Sequence, residues 1–328
     1  MVNKKDDLPL ASVAVITYNS SEFILETLNS VKNQSYKNIE LIISDDCSTD
    51  TTIKLCEEWL SKHENRFVKT DLITVKKNTG VSKNCNRGIA YASSKWIKFV
   101  AGDDILLSNC IEDNMQYVSE HLEIKVLFSQ IYKFSGLYDT SNNYKKYPAT
   151  IPMNLMNPSF TAEIQYKRLL LSDRITYTPS YFFNKETILS VGGYDEKLKL
   201  LEDYPMWLKF TKANVKLYFM EKVTVAYRGH DHALNNVVNY GLFKLQYLKS
   251  EQLRKEYVYP NLPWDIVGKM RFKYVISKIF DYLGFNKKTK LYEALFTVLT
   301  IYMNPFQFIL SFKKRILKRG KTNIFYAD

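Results

Sequence analysis

The chain has 328 residues, 46% of them apolar and 24% charged, which is enough to build a core for one large or two average domains. Only 11 Gly and 9 Pro are present and no tract is of low complexity, which excludes disordered, collagen-like and repeat proteins. The net charge of +12 lies almost wholly in residues 241–328, which hold 17 Lys and Arg against 6 Asp and Glu. Because this charge is confined to one end and accompanies no nucleic-acid-binding motif, we expect no nucleic-acid partner.

The first hundred residues alternate between strand and helix patterns. Short β-branched apolar runs predict strands at 12–16, 40–44, 72–75 and 96–100. Apolar residues at helical spacing predict helices that begin after a Ser21 cap and at 51–59 and 82–91. This alternation requires crossover connections, so we predict an α/β fold with a mostly parallel sheet and helices on both faces. Ligands of such sheets bind beyond the carboxyl ends of the strands.

The later part of the chain is predicted to complete this domain and to add a second one. The expected elements are a helix ending at 121, strands at 125–129, 178–183, 216–220 and 223–227, and a helix at 205–213. We interpret the irregular stretch 136–158 as a loop at a substrate entrance. The nucleotide-binding and catalytic domain is predicted to cover 1–240 and a basic helical module 241–328, with helices at 243–257, 264–283, 288–303 and 306–318.

The cysteines and the N-terminus bear on the compartment. Cys47, Cys56, Cys85 and Cys110 form no CxxC pair, which suits a reducing compartment and disfavours a structural zinc site. The first apolar run is too short for the apolar region of a signal peptide. We therefore expect a cytoplasmic protein.

Acidic residues follow the second and fourth predicted strands. Asp46 is suited to accept a hydrogen bond from a base or ribose, with Ser48 and Thr49 as caps of the next helix, although the segment also fits an ordinary Asx turn. The adjacent carboxylates of Asp103 and Asp104 favour a hard divalent cation, with a solvated turn as the alternative. Both clusters are expected in one crevice.

Two further segments carry candidate chemistry. Glu202 and Asp203 precede an apolar helix, where one of them would be a general base or both would complement the helix dipole. His230 and His232 follow the last predicted strand and are the only histidine pair suited to a shared site. A histidine is a reasonable ligand for a Mn²⁺-like ion, and a polar loop is the alternative.

Taken together, the motifs resemble glycosyltransferase family 2, whose members have the GT-A fold. In chain order they are 17–19 (TYN), 44–50 (SDDCSTD), 78–82 (NTGVS), 86–89 (NRGI), 102–104 (GDD), 192–195 (GGYD), 202–203 (ED) and 227–230 (YRGH). Each motif is modest, but the ordered set is specific. The resemblance spans about residues 12–234 and implies a Rossmann-like sheet, a nucleotide-sugar donor and inversion at the anomeric carbon.

The resemblance also implies roles for individual residues. Asp203 would be the catalytic base. The donor would be bound by Thr17, Tyr18, Asp46, Lys83, Arg87 and Asp103. A divalent metal, Mn²⁺ or Mg²⁺, would be held by Asp103, Asp104 and His230. Acceptor binding or support would come from Glu202, Trp207 and Arg228.

Two positions depart from the family pattern. Ala101 replaces the first carboxylate of the usual DxD, so Asp103 or Asp104 must carry the metal. Cys85 replaces an arginine, so a donor contact is either missing or supplied by Lys83 or Arg87. These departures leave a catalytically inactive saccharide- or nucleotide-binding descendant as the alternative. A nucleotidyltransferase, a dehydrogenase or a P-loop enzyme is disfavoured because no glycine-rich loop follows the first strand.

The C-terminal segment suggests where the enzyme works. An apolar stretch at 291–312 is interrupted by polar residues and followed by the basic run 313–321, which favours an interfacial helix over a spanning one. A helical cap with a solvated basic end, or a dimer interface, is the alternative. Surface-polysaccharide enzymes of this family often extend lipid-diphosphate-linked saccharides. We therefore expect a peripheral protein at the inner face of the cytoplasmic membrane, with an anionic membrane surface and a lipid-linked saccharide acceptor as partners.

Overall fold

The computed structural model describes residues 8–172, 175–198, 202–230, 241–243, 245–317 and 324–326. The chain forms two compact units. The first consists of Met1–Tyr166 with Arg174–His230, and the second of Lys167–Asp173 with Asp231–Asp328. The first unit carries the sheet, and the second carries helices.

The first unit is built around one nine-stranded sheet. Its strands are β1 Ala11–Thr17, β2 Ile39–Asp45, β3 Lys69–Ile73, β4 Trp96–Ala101, β5 Ile105–Leu106, β6 Val126–Phe134, β7 Lys146–Tyr147, β8 Phe182–Asn184 and β9 Leu217–Arg228. Its helices are α1 Ile24–Lys32, α2 Thr52–His63, α3 Val81–Tyr91, α4 Cys110–Glu120, α5 Ala162–Leu171, α6 Lys185–Ser190 and α7 Asp203–Lys212, with the last residues of α5 in the second unit. These elements confirm the predicted α/β class.

The sheet has a parallel half and a mixed half. Its order is β3-β2-β1-β4-β8-β6-β9-β5, with β7 paired to β6. The first four strands are parallel, as predicted, and β1 and β2 are almost continuously buried, as central parallel strands require. The mixed half contains antiparallel pairs of β4 with β8, β8 with β6, and β9 with β5. Because Thr17 pairs with Asp45 and Ile16 with Ala101, the carboxyl ends of β1, β2 and β4 meet at one edge.

Several local predictions were wrong in physically informative ways. The strands expected at 216–220 and 223–227 are one strand, β9, which continues through a register shift opposite Ser129 and Gln130. The segment 178–183 begins as a 3-10 turn and becomes a strand only at Phe182. Helix α1 begins at Ile24 with Phe23 at the N-cap position and no side-chain cap, so Ser21 is not its cap; the Ser21 N–H donates to Asp50 Oδ2 at 3.1 Å.

The second unit is helical. Its helices are α8 Leu245–Lys249, α9 Glu251–Leu253, α10 Trp264–Tyr282, α11 Lys290–Thr297 and α12 Pro305–Leu317, with π-helical turns at Arg254–Val258 and Val298–Tyr302. Ile266 of α10 and Leu310 of α12 form a small buried core. Within the described residues, no single helix is long and apolar enough to cross a membrane. The pair Lys290–Tyr302 and Pro305–Lys313, bent by 52°, meets that criterion by length and composition only.

Candidate active site

The loops after β1 and β2 are tied together at the carboxyl edge of the sheet. The Asn19 N–H donates to Ser48 Oγ at 2.8 Å, and Asn19 Oδ1 accepts from the Thr49 N–H at 2.8 Å. Ser48 and Thr49 therefore hold the first loop in place. The sequence had predicted them as caps of α2, and this prediction was wrong. This arrangement leaves the Tyr18 side chain 47% exposed at the edge.

Thr17 lies beneath the turn that follows β4. A Cβ atom at Gly102 would lie 2.7 Å from Thr17 Oγ1, so this close approach requires glycine. Among the described residues, neither Thr17 Oγ1 nor Arg87 Nε, both buried, has a hydrogen-bond partner. Such buried polar atoms usually have a partner, and these two lie in neighbouring parts of the same edge.

The Asp46 carboxylate is held by the segment before α3 and by Arg87. Its Oδ2 accepts from the N–H groups of Thr79 at 2.9 Å and Gly80 at 2.7 Å, and its Oδ1 accepts from the Thr79 hydroxyl and from Arg87 Nη2 at 2.7 Å. Burial raises the pKa of Asp46, but the hydrogen bonds from Thr79, Arg87 and Gly80 outweigh it and hold that pKa below its usual value. Asp46 therefore organises this loop as an ionised carboxylate.

Lys83 and Arg87 differ in their surroundings although both lie on α3. Arg87 is mostly buried and also donates to Thr79 Oγ1 at 2.9 Å and Asn84 Oδ1 at 3.0 Å. Lys83 is half-exposed and pairs with Glu196 at 3.4 Å. Of the two predicted donor contacts, Arg87 is the one joined to Asp46.

Glu202 and Asp203 lie at the start of α7, close to a buried tyrosine pair. Tyr181 Oη and Tyr194 Oη are 2.7 Å apart, and both tyrosines are within electrostatic range of Asp203. Burial, reinforced by the charge of Glu202, raises the pKa of Asp203 well above its usual value. A carboxylate with a raised pKa is suited to general base catalysis.

Cys85 is close both to the Asp46 cluster and to the two acids at the start of α7. Its buried thiol is within electrostatic range of Glu202 and Asp203 and of Arg87 and Asp46. Burial and the two acids of α7 raise the pKa of Cys85 well above its usual value, so the thiol stays neutral. The residue that departs from the family pattern is thus within electrostatic range of both the Asp46 cluster and the predicted base.

Two residues without a predicted role position the tyrosine pair: Lys98, which the sequence did not single out, and Asn86, the first residue of the motif 86–89. Lys98, buried in β4, donates to the carbonyls of Pro179 at 2.6 Å and Tyr181 at 3.1 Å, and burial lowers the pKa of Lys98 to about 8. Asn86 exchanges hydrogen bonds with the Tyr194 backbone, accepting from its N–H at 2.9 Å and donating to its carbonyl at 3.0 Å. A charged residue within a β-branched run is the signal that would have found Lys98.

The adjacent acids Asp103 and Asp104 point to different surroundings. Asp103 is partly exposed, and its Oδ2 is 2.9 Å from His230 Nε2. Asp104 is buried, and its Oδ1 accepts from the Arg228 N–H at 2.9 Å. Burial and the Asp103 charge raise the pKa of Asp104 well above its usual value. Of the two acids, Asp103 thus contacts His230 and Asp104 contacts β9; a metal site shared by Asp103, Asp104 and His230 stays a prediction.

Asp103 and His230 are the two neighbouring side chains at this turn that could hold a divalent ion. Within the described ranges, no group of three or more His, Cys, Asp or Glu side chains is arranged to hold a metal. A carboxylate oxygen and an imidazole nitrogen are nevertheless donor types that Mn²⁺ accepts, and such an ion would need further oxygen ligands, which a diphosphate could supply. His232, predicted alongside His230, lies outside the described residues.

Arg228 and Trp207 are support residues because both are buried. Arg228 Nε donates to the Asp103 carbonyl at 2.7 Å, Nη1 donates to the Gly136 carbonyl, and Nη2 pairs with Glu26 at 2.9 Å. Trp207 packs edge-on against the aromatic core of the first unit, 4.9 Å from the ring of Phe128. Neither side chain is accessible to an acceptor.

We expect Arg228→Met to lower the free energy of unfolding by about 3 kcal/mol, because the carbonyls of Asp103 and Gly136 lose their donor. Chemical denaturation followed by circular dichroism measures this change. Glu26→Gln is the matched control and should cost less, since the Glu26 side chain is 31% exposed and remains hydrated. Equal stability of wild type and Arg228→Met would contradict the bracing role.

Much of the sequence is similar to known proteins. The family model described as Glycosyl transferase family 2 matches residues 12–185. An uncharacterized glycosyltransferase of Methanocaldococcus jannaschii is 26% identical over 78% of this chain and 84% of its own length. The minor teichoic acid biosynthesis protein GgaA of Bacillus subtilis is 29% identical over 58% of this chain. The match covers 41% of GgaA, so this chain corresponds to less than half of that protein.

Solved structures share the fold. Residues 1–349 of TarS from S. aureus, in complex with UDP-GlcNAc, superpose with a TM-score of 0.56 at 22% identity, covering 89% of this chain and 79% of that one. The mannosyltransferase PcManGT of Pyrobaculum calidifontis, in complex with GDP-Man and Mn²⁺, gives a TM-score of 0.51 at 12% identity, covering 97% and 78%. At these identities the likeness establishes the GT-A fold alone.

Proposed function

Because the chain belongs to glycosyl transferase family 2, we propose that it transfers a hexose or N-acetylhexosamine from its UDP-linked donor to a saccharide acceptor, with inversion at the anomeric carbon. The observation that carries this proposal is that α3 contacts both parts of the site: Arg87 pairs with Asp46 at 2.7 Å, and Asn86 holds the Tyr194 backbone beside Asp203, whose pKa is raised. The UDP-GlcNAc complex of TarS, which has the same fold, supports the choice of donor.

Asp203 is the proposed base. It takes the proton from the attacking acceptor hydroxyl as that oxygen bonds to the anomeric carbon and the bond to the diphosphate breaks. Burial near Tyr181 and Tyr194 favours proton uptake by Asp203, because the neutral carboxyl is the more stable form there. A single displacement of this kind inverts the anomeric centre.

The turn after β4 is proposed to stabilise the leaving group. Asp103 and His230 are the residues that would hold Mn²⁺ or Mg²⁺, and a bound ion supplies positive charge that stabilises the departing diphosphate. The Mn²⁺ in the PcManGT complex supports this metal dependence. Arg228, through its bond to the Asp103 carbonyl, keeps the turn in place.

The nucleotide is proposed to lie on the edge formed by Thr17 and Tyr18. The exposed Tyr18 ring offers a stacking surface directly after Thr17, the last residue of β1. Asp46 already accepts four hydrogen bonds, so a contact with uracil requires exchange of one of them. Lys83 lies on α3, the helix that also carries Arg87, but its side chain is half-exposed.

We also propose that the acceptor is a lipid-diphosphate-linked saccharide and that the product is a surface polysaccharide, such as an O-antigen or a capsule. The name of GgaA, a teichoic acid biosynthesis protein, supports a cell-surface polymer. The predicted entrance loop supports a saccharide, since Tyr138 and Tyr144 stack 5.2 Å apart beside Phe134. Tyr138 and Tyr144 are half-buried, and each ring combines an apolar face with a polar hydroxyl, which suits contact with a saccharide.

A donor screen tests the proposal. The full chain is incubated with Mn²⁺ and each of several UDP-sugars, with and without a lipid-linked saccharide acceptor, and the released UDP and the acceptor mass are measured. We expect one donor to give acceptor-dependent UDP release and a mass gain of one sugar. Donor binding without turnover for every sugar would instead favour the inactive, saccharide- or nucleotide-binding alternative.

A further inference from the structure

The second unit has an apolar surface on the outer side of α11, its π-helical turn and α12. We call this surface the outer face of 290–313. Its exposed members are Leu291, Leu295, Val298, Ile301, Tyr302, Met303, Phe308 and Phe312. Leu291 is 72% exposed, Tyr302 68% and Phe308 67%, so most of the surface of each residue is in water. Apolar patches of this extent on a protein surface mark an interaction site.

The opposite side of the same helices is packed. On α12, Leu310 is buried against α10, and Lys313 pairs with the buried Asp265 at 2.6 Å. A Cβ atom at Gly268 of α10 would overlap the Phe306 ring, so this glycine allows α12 to approach closely. On α11, the Phe296 ring lies 5.1 Å from the Phe280 ring. These helices therefore have two distinct faces. The inner face packs against α10, and the outer face of 290–313 is exposed.

Positive charge borders the outer face at both ends. Lys287 and Lys288 are exposed before α11, Lys290 is exposed at its first position, and Arg315 is exposed near the end of α12. Between 287 and 317 the sequence contains one acid, Glu293. Apolar side chains flanked by basic ones are complementary to a layer of anionic headgroups above acyl chains.

We propose that the outer face of 290–313 binds the surface of an anionic lipid bilayer and lies within the headgroup boundary. The 52° bend and the packed inner face favour this shallow position, because a spanning arrangement would expose Asp265 and Lys313 to lipid. A second copy of the chain fits less well, since a symmetric pairing would bring the same basic residues together. The anionic cytoplasmic leaflet places the enzyme at the inner face of the cytoplasmic membrane.

Vesicle co-sedimentation of the full chain, without donor or acceptor, tests this inference. We expect binding to phosphatidylcholine vesicles that contain phosphatidylglycerol, and binding at least about tenfold weaker to pure phosphatidylcholine or at high salt. Phe308→Ser with Phe312→Ser should weaken binding about tenfold or more, and Lys287→Glu with Lys288→Glu should weaken it while leaving the apolar surface intact. Leu122→Ser, at a residue 78% exposed on the first unit, is the matched control and should bind as wild type.

Two results would overturn the inference. One is wild-type protein that stays in the supernatant with anionic vesicles. The other is a phenylalanine variant that binds vesicles normally but loses an oligomer seen by analytical ultracentrifugation, which would assign the face to a second copy. UDP release with a water-soluble saccharide acceptor is measured on the same variants and should stay unchanged. Failure of the membrane inference and failure of the proposed transfer are thus separable.

Discussion

Asp203→Asn should reduce turnover by about 10² or more while donor affinity stays near that of wild type. The amide has nearly the same size as the carboxylate but cannot take the proton of the acceptor hydroxyl. Its effect therefore falls on the chemical step, and kcat and kcat/KM should decrease together. Steady-state UDP release with acceptor gives the rates, and calorimetric titration with UDP gives the affinity.

Glu202→Gln is the matched control for Asp203→Asn, because the two acids are adjacent and both have a raised pKa. We expect the control to retain most of its activity. Activity lost in Glu202→Gln and kept in Asp203→Asn would assign the base to Glu202 and contradict our choice.

The pH profile gives an independent readout of the base. Asp203 accepts a proton only when ionised, so the wild-type rate should fall as the pH is lowered through its pKa. Because burial and Glu202 raise that pKa, this acidic limb should lie above the range of an ordinary aspartate. The residual activity of Asp203→Asn should not show this decrease in rate at acidic pH.

Asp103→Asn should weaken Mn²⁺-dependent binding of UDP by about tenfold or more and leave the fold intact. The partly exposed Asp103 carboxylate is the proposed oxygen ligand next to His230, and an amide is a poor ligand for a hard cation. Titrations with UDP in the presence of Mn²⁺ and of a chelator measure the metal-dependent part of the affinity.

Asp104→Asn separates the two neighbouring acids. The Asp104 carboxylate is buried and accepts a hydrogen bond from the Arg228 N–H. We therefore expect this variant to change the stability of the protein more than its Mn²⁺-dependent affinity for UDP. Asp139→Asn, in an exposed loop, controls for a general loss of negative charge. Unchanged metal-dependent affinity in Asp103→Asn would remove Asp103 from the site.

The parallel half of the fold and the location of the acids were predictable from the sequence. Buried parallel strands need continuous apolar runs, and β1, β2 and β4 have them. Parallel strands also bring their carboxyl ends to one edge, which places Asp46 and Asp103 there without knowledge of any long-range contact.

The remaining features depend on geometry that spacing does not encode. Asp103 and Asp104 are adjacent in the chain, yet only the turn after β4 decides that one is partly exposed and the other braces β9. The tyrosine pair beside Asp203 depends on contacts from Lys98 and Asn86, about eighty to one hundred residues earlier. Similarly, the merging of two short apolar runs into β9 reflects its long pairing with β6.

The central claim is that Asp103, His230 and the edge carrying Thr17 and Tyr18 form one metal-dependent site for a nucleotide diphosphate. Crystals of the protein grown with UDP and Mn²⁺ test it most directly, through the anomalous signal of the ion. We predict a peak within coordination distance of the Asp103 carboxylate and the UDP diphosphate, with the uracil beside Tyr18. A peak and nucleotide bound elsewhere on the molecule would contradict the account.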